Sequence, residues 1–303
     1  MSYANIILPA EEHTVIKSAI FLFVFLASLC LSWESHSLCM PHTSLAASSR
    51  NLLAPAGPPV LAAHNLSDPL LSTKNPSASW KIIWEDNFDD PSLSTAKWNI
   101  IDWAAEKNNE LEYYTPDNVS LTNGNLCIIT EKKQYNGRSF TSGAIETKDK
   151  FHFLYGKAEI RAKLPKGKGI FPAFWMLAQN DSDLPEIDIM EMIGDYPSEI
   201  WMVYHWLDGD EQKRNYTSYT GPDFSEDYHI FSIEWSSDKM VWLIDNAEVF
   251  STDHAPNQPM FLYINTAVGG VWPGSPDTKT IFPQSLLVDY VRIYKENLAC
   301  AKP

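Results

Sequence analysis

Basic residues are few in this chain for its size. Lys and Arg number 23 against 38 Asp and Glu, a net charge of −15 over 303 residues. That balance excludes nucleic acid and anionic membrane surfaces as partners, since like charge repels them. Neutral polymers such as glycans stay open, and 11 Trp and 13 Tyr would suit sugar rings as well as a core. Cysteine is scarce too. Cys30, Cys39, Cys127 and Cys300 show no metal or redox spacing. Cys30 lies in a segment expected to be removed, so the other three allow one disulfide, and the pairing stays open. There is no internal repeat and no long amphipathic helical pattern after Trp80.

Long apolar runs are nearly missing as well. The exception is residues 15–33, VIKSAIFLFVFLASLCLSW, where Lys17 precedes an apolar run from Ala19 to Leu31. A spanning helix needs about 20 apolar residues. The shorter run has the layout of a secretory signal, with Ser35-His36-Ser37 as a cleavage site. Bulky Leu29 before Cys30 fits a lipoprotein site poorly. An uncleaved signal anchor is the alternative. On either reading the rest of the chain faces an extracytoplasmic space, with no membrane contact beyond this segment. Residues 38–79, rich in Ser, Ala, Pro and Leu, read as a linker or disordered leader. Asn65, Asn118, Asn180 and Asn215 head Asn-x-Ser/Thr sequons, which matter only in a eukaryotic secretory route.

From Trp80 onward, short β-branched and aromatic runs alternate with Gly, Pro, Asn and Asp clusters. KIIWEDNF, VSLTNGNLCIITEKK, GKAEIRAKL, AFWML, EIDIMEM, IWMVYHW, YHIFSIEWSS, DKMVWLIDNAEVF, MFLYINTAV and SLLVDYVRIYKE all read as strands. Asn123-Gly124 marks a hairpin turn. The expectation is one all-β domain over 80–297, two stacked antiparallel sheets, behind a signal segment 1–37 and before a tail 298–303.

One strand is unusual. In LPEIDIMEMIG, Glu186, Asp188 and Glu191 stand in an otherwise apolar run. Alternation puts Glu186 and Asp188 on one face, with Ile187 and Ile189 behind them. Strict alternation would then bury Glu191, and a buried unpaired carboxylate is costly. One extra residue around Ile189–Met190, a β-bulge, returns Glu191 to the acid face. Paired carboxylates split glycosidic bonds, one as nucleophile and one as acid, and retaining enzymes hold them about 5–5.5 Å apart. Like charges so close push their proton affinities apart.

The motif Glu186-Ile-Asp188-Ile-Met-Glu191 resembles the catalytic signature of glycoside hydrolase family 16 in its laminarinase-like form. WEDNFDD (84–90), NNELEYYTPDNV (108–119), FTSGAIETK (140–148), YGKAEIRAKLPKGKGIFPAFWML (155–177), INTAVGGVWPGSPD (264–277) and FPQSLLVDYVRIY (282–294) follow in that family's order. The resemblance implies a β-jelly-roll sandwich with a concave substrate cleft. It implies a secreted, monomeric endo-acting β-1,3-glucan hydrolase that works with retention and needs no cofactor. Glu186 would be the nucleophile, Asp188 its helper and Glu191 the acid/base. Trp175 would be a sugar platform and His205 a neighbour of the acid, with Trp103, Asn109 and Trp272 as further cleft residues. Asp289, with a carbonyl near Gly124, would hold a structural calcium. Pro185 stands where many relatives carry glycine. A mixed-linkage glucan or galactan hydrolase, a transglycosylase and a non-catalytic glucan lectin are the alternatives.

Overall fold

A computed structural model of the chain describes residues 79–297 except Asp181. The expected signal segment, the tail and all but the last residue of the expected leader lie outside the described residues, as do Cys30, Cys39, Cys300 and Asn65. In chain order the strands are β1 (Ser79–Asp86), β2 (Asn99–Ile100), β3 (Trp103–Ala104), β4 (Glu112–Tyr114), β5 (Val119–Thr122), β6 (Asn125–Thr130), β7 (Phe140–Ser142), β8 (Ala144–Glu146) and β9 (Gly156–Lys163). There follow β10 (Ile170–Ala178), β11 (Glu186–Glu191), β12 (Glu199–Asp208), β13 (Glu211–Thr220), β14 (His229–Trp235), β15 (Met240–Ile244), β16 (Ala247–Thr252), β17 (Met260–Val268) and β18 (Gln284–Asn297). Two short 3-10 turns, Lys107–Asn109 and Pro116–Asn118, are the helical pieces among the described residues.

Two large sheets are formed. One runs β16-β15-β14-β9-β18-β6-β5, with β1 also on β18; the other runs β13-β12-β11-β10-β17-β8-β2. Every ladder in both is antiparallel. Period-two alternation explains the stacking, because each strand turns one set of side chains inward. Ile160, Ile233, Trp242 and Val291 come from the first sheet, and Phe174, Met176, Ile187, Met190 and Ile264 from the second, into one buried core. The expected sandwich of two antiparallel sheets is present.

A third sheet, β3-β4-β7, lies over part of the second sheet's outer face. Ile101, Ala105 and Tyr114 pack there on Ala144, Phe261 and Tyr263, and Trp175 and Leu177 border the patch. On the same face, beyond this covering, Glu186 keeps 29% of its side chain exposed.

The turn at Asn123-Gly124 is a hairpin as expected, with positive φ at both residues, 53° and 70°. Residues 238–250, expected as one strand, are instead the β15–β16 hairpin, folded at Asp245 and Asn246 with φ of 50° and 65°. β13 was not expected at all. EQKRNYTSYT carries charge and hydroxyls where a half-buried strand carries apolar residues, because it is an edge strand. Cys127 is a buried free thiol. The sequon at Asn118 is closed, since that amide is buried and donates to the Ile129 carbonyl at 2.6 Å. First and last strands meet: Ser79 pairs with Asn297.

Candidate active site

The wider gap in the carboxylate motif is a bulge. On β10, Trp175 pairs with Asp188 and Phe174 with Met190, which leaves Ile189 as the extra residue. On β12, the register slips between Asp188 and Glu191 in the same way. Ile187, Ile189 and Met190 are all buried in the core, so both residues of the gap point inward. Glu186, Asp188 and Glu191 therefore share the outer face. A bulge takes backbone groups out of the ladder. Here the Asp188 carbonyl accepts the indole N–H of Trp242, which crosses the sandwich from β15 at 3.0 Å. Pro185 sits just before β11 begins, where its missing N–H costs no ladder bond.

His205 faces Glu186 directly across the β11–β12 ladder. Its Nε2 is 3.6 Å from Asp188 Oδ2 and 3.9 Å from Glu186 Oε1. Burial, and next the positive charge of Arg214, push its pKa down. No Lys or Arg forms an ion pair with any of the three acids among the described residues. Lys107, whose charge reaches Glu186, is itself paired with Asp183 at 3.0 Å. All three carboxyls are consequently held above their ordinary range. Burial raises Glu186 to about 7. Burial, then the charge of Glu186, raises Glu191 to about 8. Asp188, 3% exposed, is raised by burial and then by Glu191 and Glu186.

Aromatic side chains flank the acids on both ladders. Trp175 stands beside Asp188, 4.7 Å from the Tyr263 ring. Its indole N–H donates to Asn265 Oδ1 at 2.9 Å, and Asn265 in turn donates to the Tyr114 hydroxyl at 2.9 Å. Beneath them Glu112, fully buried, accepts the Val268 N–H at 2.7 Å, and burial followed by Glu110 raises it to about 7. On the other side, Trp201 pairs with Glu191 and meets Trp272 edge-on at 5.3 Å.

The profile of glycosyl hydrolases family 16 matches residues 106–291. The chain belongs to that family. A profile of beta-glucan synthesis-associated proteins SKN1/KRE6/Sbg1 also matches, over residues 13–181. The chain is similar to a beta-glucanase from Rhodothermus marinus, 34% identical over 71% of this chain and 85% of that protein. It is similar to glucan endo-1,3-beta-glucosidase A1 from Niallia circulans, 33% identical over 72% of this chain but only 38% of that protein's length. Among solved structures it resembles the laminarinase catalytic domain from Thermotoga maritima, with 38% identity and a TM-score of 0.67 over 72% of this chain and 99% of that one. This family 16 chain is a glycoside hydrolase, and its sandwich is the family's jelly roll.

The weaker sequence candidates separate in this family 16 structure. Trp272 reaches the acid face through Trp201 and Phe171, its other ring neighbour at 5.5 Å. Asn109 is exposed in the 3-10 turn whose Lys107 pairs with Asp183, just ahead of Glu186. Trp103, 52% exposed, belongs to the separate three-stranded sheet, and no contact ties it to the carboxylates. The calcium expectation does not fit. Asp289 Oδ2 is held by Arg161 at 2.6 Å, and calcium wants six or more oxygens. Gly124 faces Asp89 instead, whose Oδ1 lies 3.5 Å from where a Cβ would stand.

Sequence reasoning passed over Trp201, Asn265 and Trp242. Trp201 had a signal, since it is four residues before His205 and so on the same face of one strand. Asn265 had a weaker one, as the one amide in MFLYINTAV. Trp242 had none, because its partner is on the opposite sheet.

Proposed function

We propose that this chain is an endo-acting hydrolase of β-1,3-glucan that works with retention of anomeric configuration. One observation carries the reading. The bulge at Ile189 aligns Glu186, Asp188 and Glu191 on one face, where burial raises the proton affinity of all three. The printed activities of the relatives from Niallia circulans and Thermotoga maritima support the glucan linkage.

The chemistry follows from these groups. Glu186, as the carboxylate, attacks the anomeric carbon as Glu191 passes its proton to the departing glycosidic oxygen. A glycosyl ester on Glu186 results. Glu191, now a carboxylate, takes a proton from water, whose oxygen displaces Glu186 and restores both groups. Asp188 lies between them along the strand and within reach of His205, so it tunes the charge that each glutamate meets. Trp175, held by Asn265 and tilted against Tyr263, offers a flat face for a pyranose ring. Acid, nucleophile and water suffice, so no cofactor enters the reaction. The apolar run at 15–33 supports export of a protein that acts on an extracellular polymer.

Reducing-sugar release from laminarin, lichenan, carrageenan, agarose and xyloglucan tests the substrate. Laminarin should be cleaved fastest, to short oligomers. Release from a galactan alone would overturn the glucan reading, and no release from any would favour the lectin. Azide tests the roles. Glu186→Ala with azide should give the inverted glycosyl azide, and Glu191→Ala the retained one. The reverse pairing would exchange nucleophile and acid.

A further inference from the structure

The acid face holds a second arrangement that glycosidic cleavage does not require. One oxygen of Glu186, one of Asp188 and one nitrogen of His205 lie within 4.8 Å of one another. Nε2 of His205 is 3.6 Å and 3.9 Å from the two carboxylate oxygens. Zinc bonds of about 2.0–2.2 Å place tetrahedral donors about 3.4 Å apart. The two sides that meet at His205 therefore need to tighten by only a few tenths of an ångström, and the Glu186–Asp188 side, at most 4.8 Å, closes by a turn of the partly exposed Glu186 side chain. Asp188 supplies an independent sign. Its side chain is 5% exposed, yet no donor among the described residues hydrogen-bonds its carboxyl, and it aims at His205. A buried carboxyl whose nearest polar neighbour is an imidazole beyond hydrogen-bond reach is a place that a cation would fill.

We propose that Glu186, Asp188 and His205 form a binding site for a divalent transition metal of the zinc type, and that the ion shuts the cleft to glucan. One imidazole nitrogen with two carboxylate oxygens is a donor set for zinc rather than magnesium or calcium, which take oxygen alone. The fourth position opens to the cleft and takes water. With Glu186 bound to metal, the group that must reach the anomeric carbon is occupied, so metal and sugar exclude each other. The inhibitory half rests on the hydrolase reading above; the binding half does not.

Calorimetric titration of the full chain with zinc chloride, without glucan, tests the binding. One ion per chain is expected. His205→Gln and Glu186→Gln should each weaken it by at least about tenfold, and calcium chloride should bind far more weakly. Unchanged zinc affinity in both variants, or calcium bound as tightly as zinc, would overturn the site. If His205→Gln fails to melt cooperatively, Glu186→Gln decides alone. Kinetics with a laminari-oligosaccharide test the exclusion: zinc should raise the apparent KM and leave kcat unchanged, and a fall in kcat alone would overturn it. A chain that binds zinc but cleaves no glycan would refute the hydrolase and keep the metal site. A chain that cleaves glucan but takes no zinc would do the opposite.

Discussion

Glu159 and Asp188 are carboxylates pressed into the two sheets of one sandwich, and their surroundings are opposite. Glu159, on β9, is 6% exposed and fully partnered. Lys157 lies 2.7 Å away, and the Tyr290 and Tyr294 hydroxyls donate to it at 3.1 and 3.0 Å. Asp188, on β11, is 3% exposed and meets two further acids and an imidazole. The first sheet pairs its buried carboxylate on the spot, and the second gives its acids no cation, which raises their hold on protons and leaves any charge they do carry standing. A cancelled charge contributes to holding the fold. A standing charge costs stability and keeps protons available for chemistry.

Removing the standing charges should have the largest effect. Glu191→Gln should lower glucan turnover by roughly 10²–10⁴-fold, and Glu186→Gln by no less. Neither should lower the melting temperature at pH 8, because each removes an uncompensated carboxylate. Full hydrolysis by either purified variant would break the comparison on its functional side.

On the other sheet the effect should move from activity to stability. Glu159→Ala strands Lys157 in a buried site, and breaking such a pair costs about 3–5 kcal/mol. Urea unfolding should show that loss, while turnover per folded molecule stays within about twofold, as expected of a surface remote from the acids. Lost turnover in the folded variant would mean that the two sheets do not divide the work.

A smaller effect is expected where the sheets touch. Trp242→Phe keeps the bulk but withdraws the indole N–H from the Asp188 carbonyl. Leaving that buried carbonyl unsatisfied should cost about 1–3 kcal/mol. A shifted bulge should also lower kcat about tenfold with KM little changed. If kcat is untouched, the bulge is held by other contacts.

The pH response sharpens the contrast further. Glu186 and Glu191 sit above their usual 4.5 when folded, at about 7 and about 8. Between 4.5 and those values the folded chain holds protons that the unfolded chain has lost, so stability must fall as pH rises through that window. The melting temperature should decline from pH 5 to pH 9, and less steeply in Glu191→Gln. A variant that tracks the wild-type decline throughout would assign those protons elsewhere. The smallest effect should come from trimming. Residues 78–303 should melt and hydrolyse glucan like the full chain, and a lower melting temperature would make the leader part of the fold.

Much of the site could be read along the chain because it is built on one strand. Two rules, that neighbours alternate and that buried acids need a reason, are enough to locate the bulge between Asp188 and Glu191 from the residues themselves. What escaped depends on partners distant in sequence. Trp242 lies 54 residues from the carbonyl it satisfies, and Arg161 lies 128 from the Asp289 it takes away from calcium. β13 escaped for another reason. Its alternation is between polar residues, so no hydrophobic period marks it. The β15–β16 hairpin reads along the chain as one run because Asp245-Asn246 is a turn without glycine, and only the positive φ values give it away.

The pairing of Ser79 with Asn297 puts a clock on assembly. A ribosome delivers β1 first and β18 last, and β18 is the strand on which β1, β9 and β6 all lie. Three ladders of the first sheet therefore wait for the final residues of the described chain. Until then β1, with Ile82 and Ile83 along it, has no strand to join. Such distant pairing slows folding, so a nascent chain stalled short of β18 would hold its carboxylate strand complete and its sandwich open.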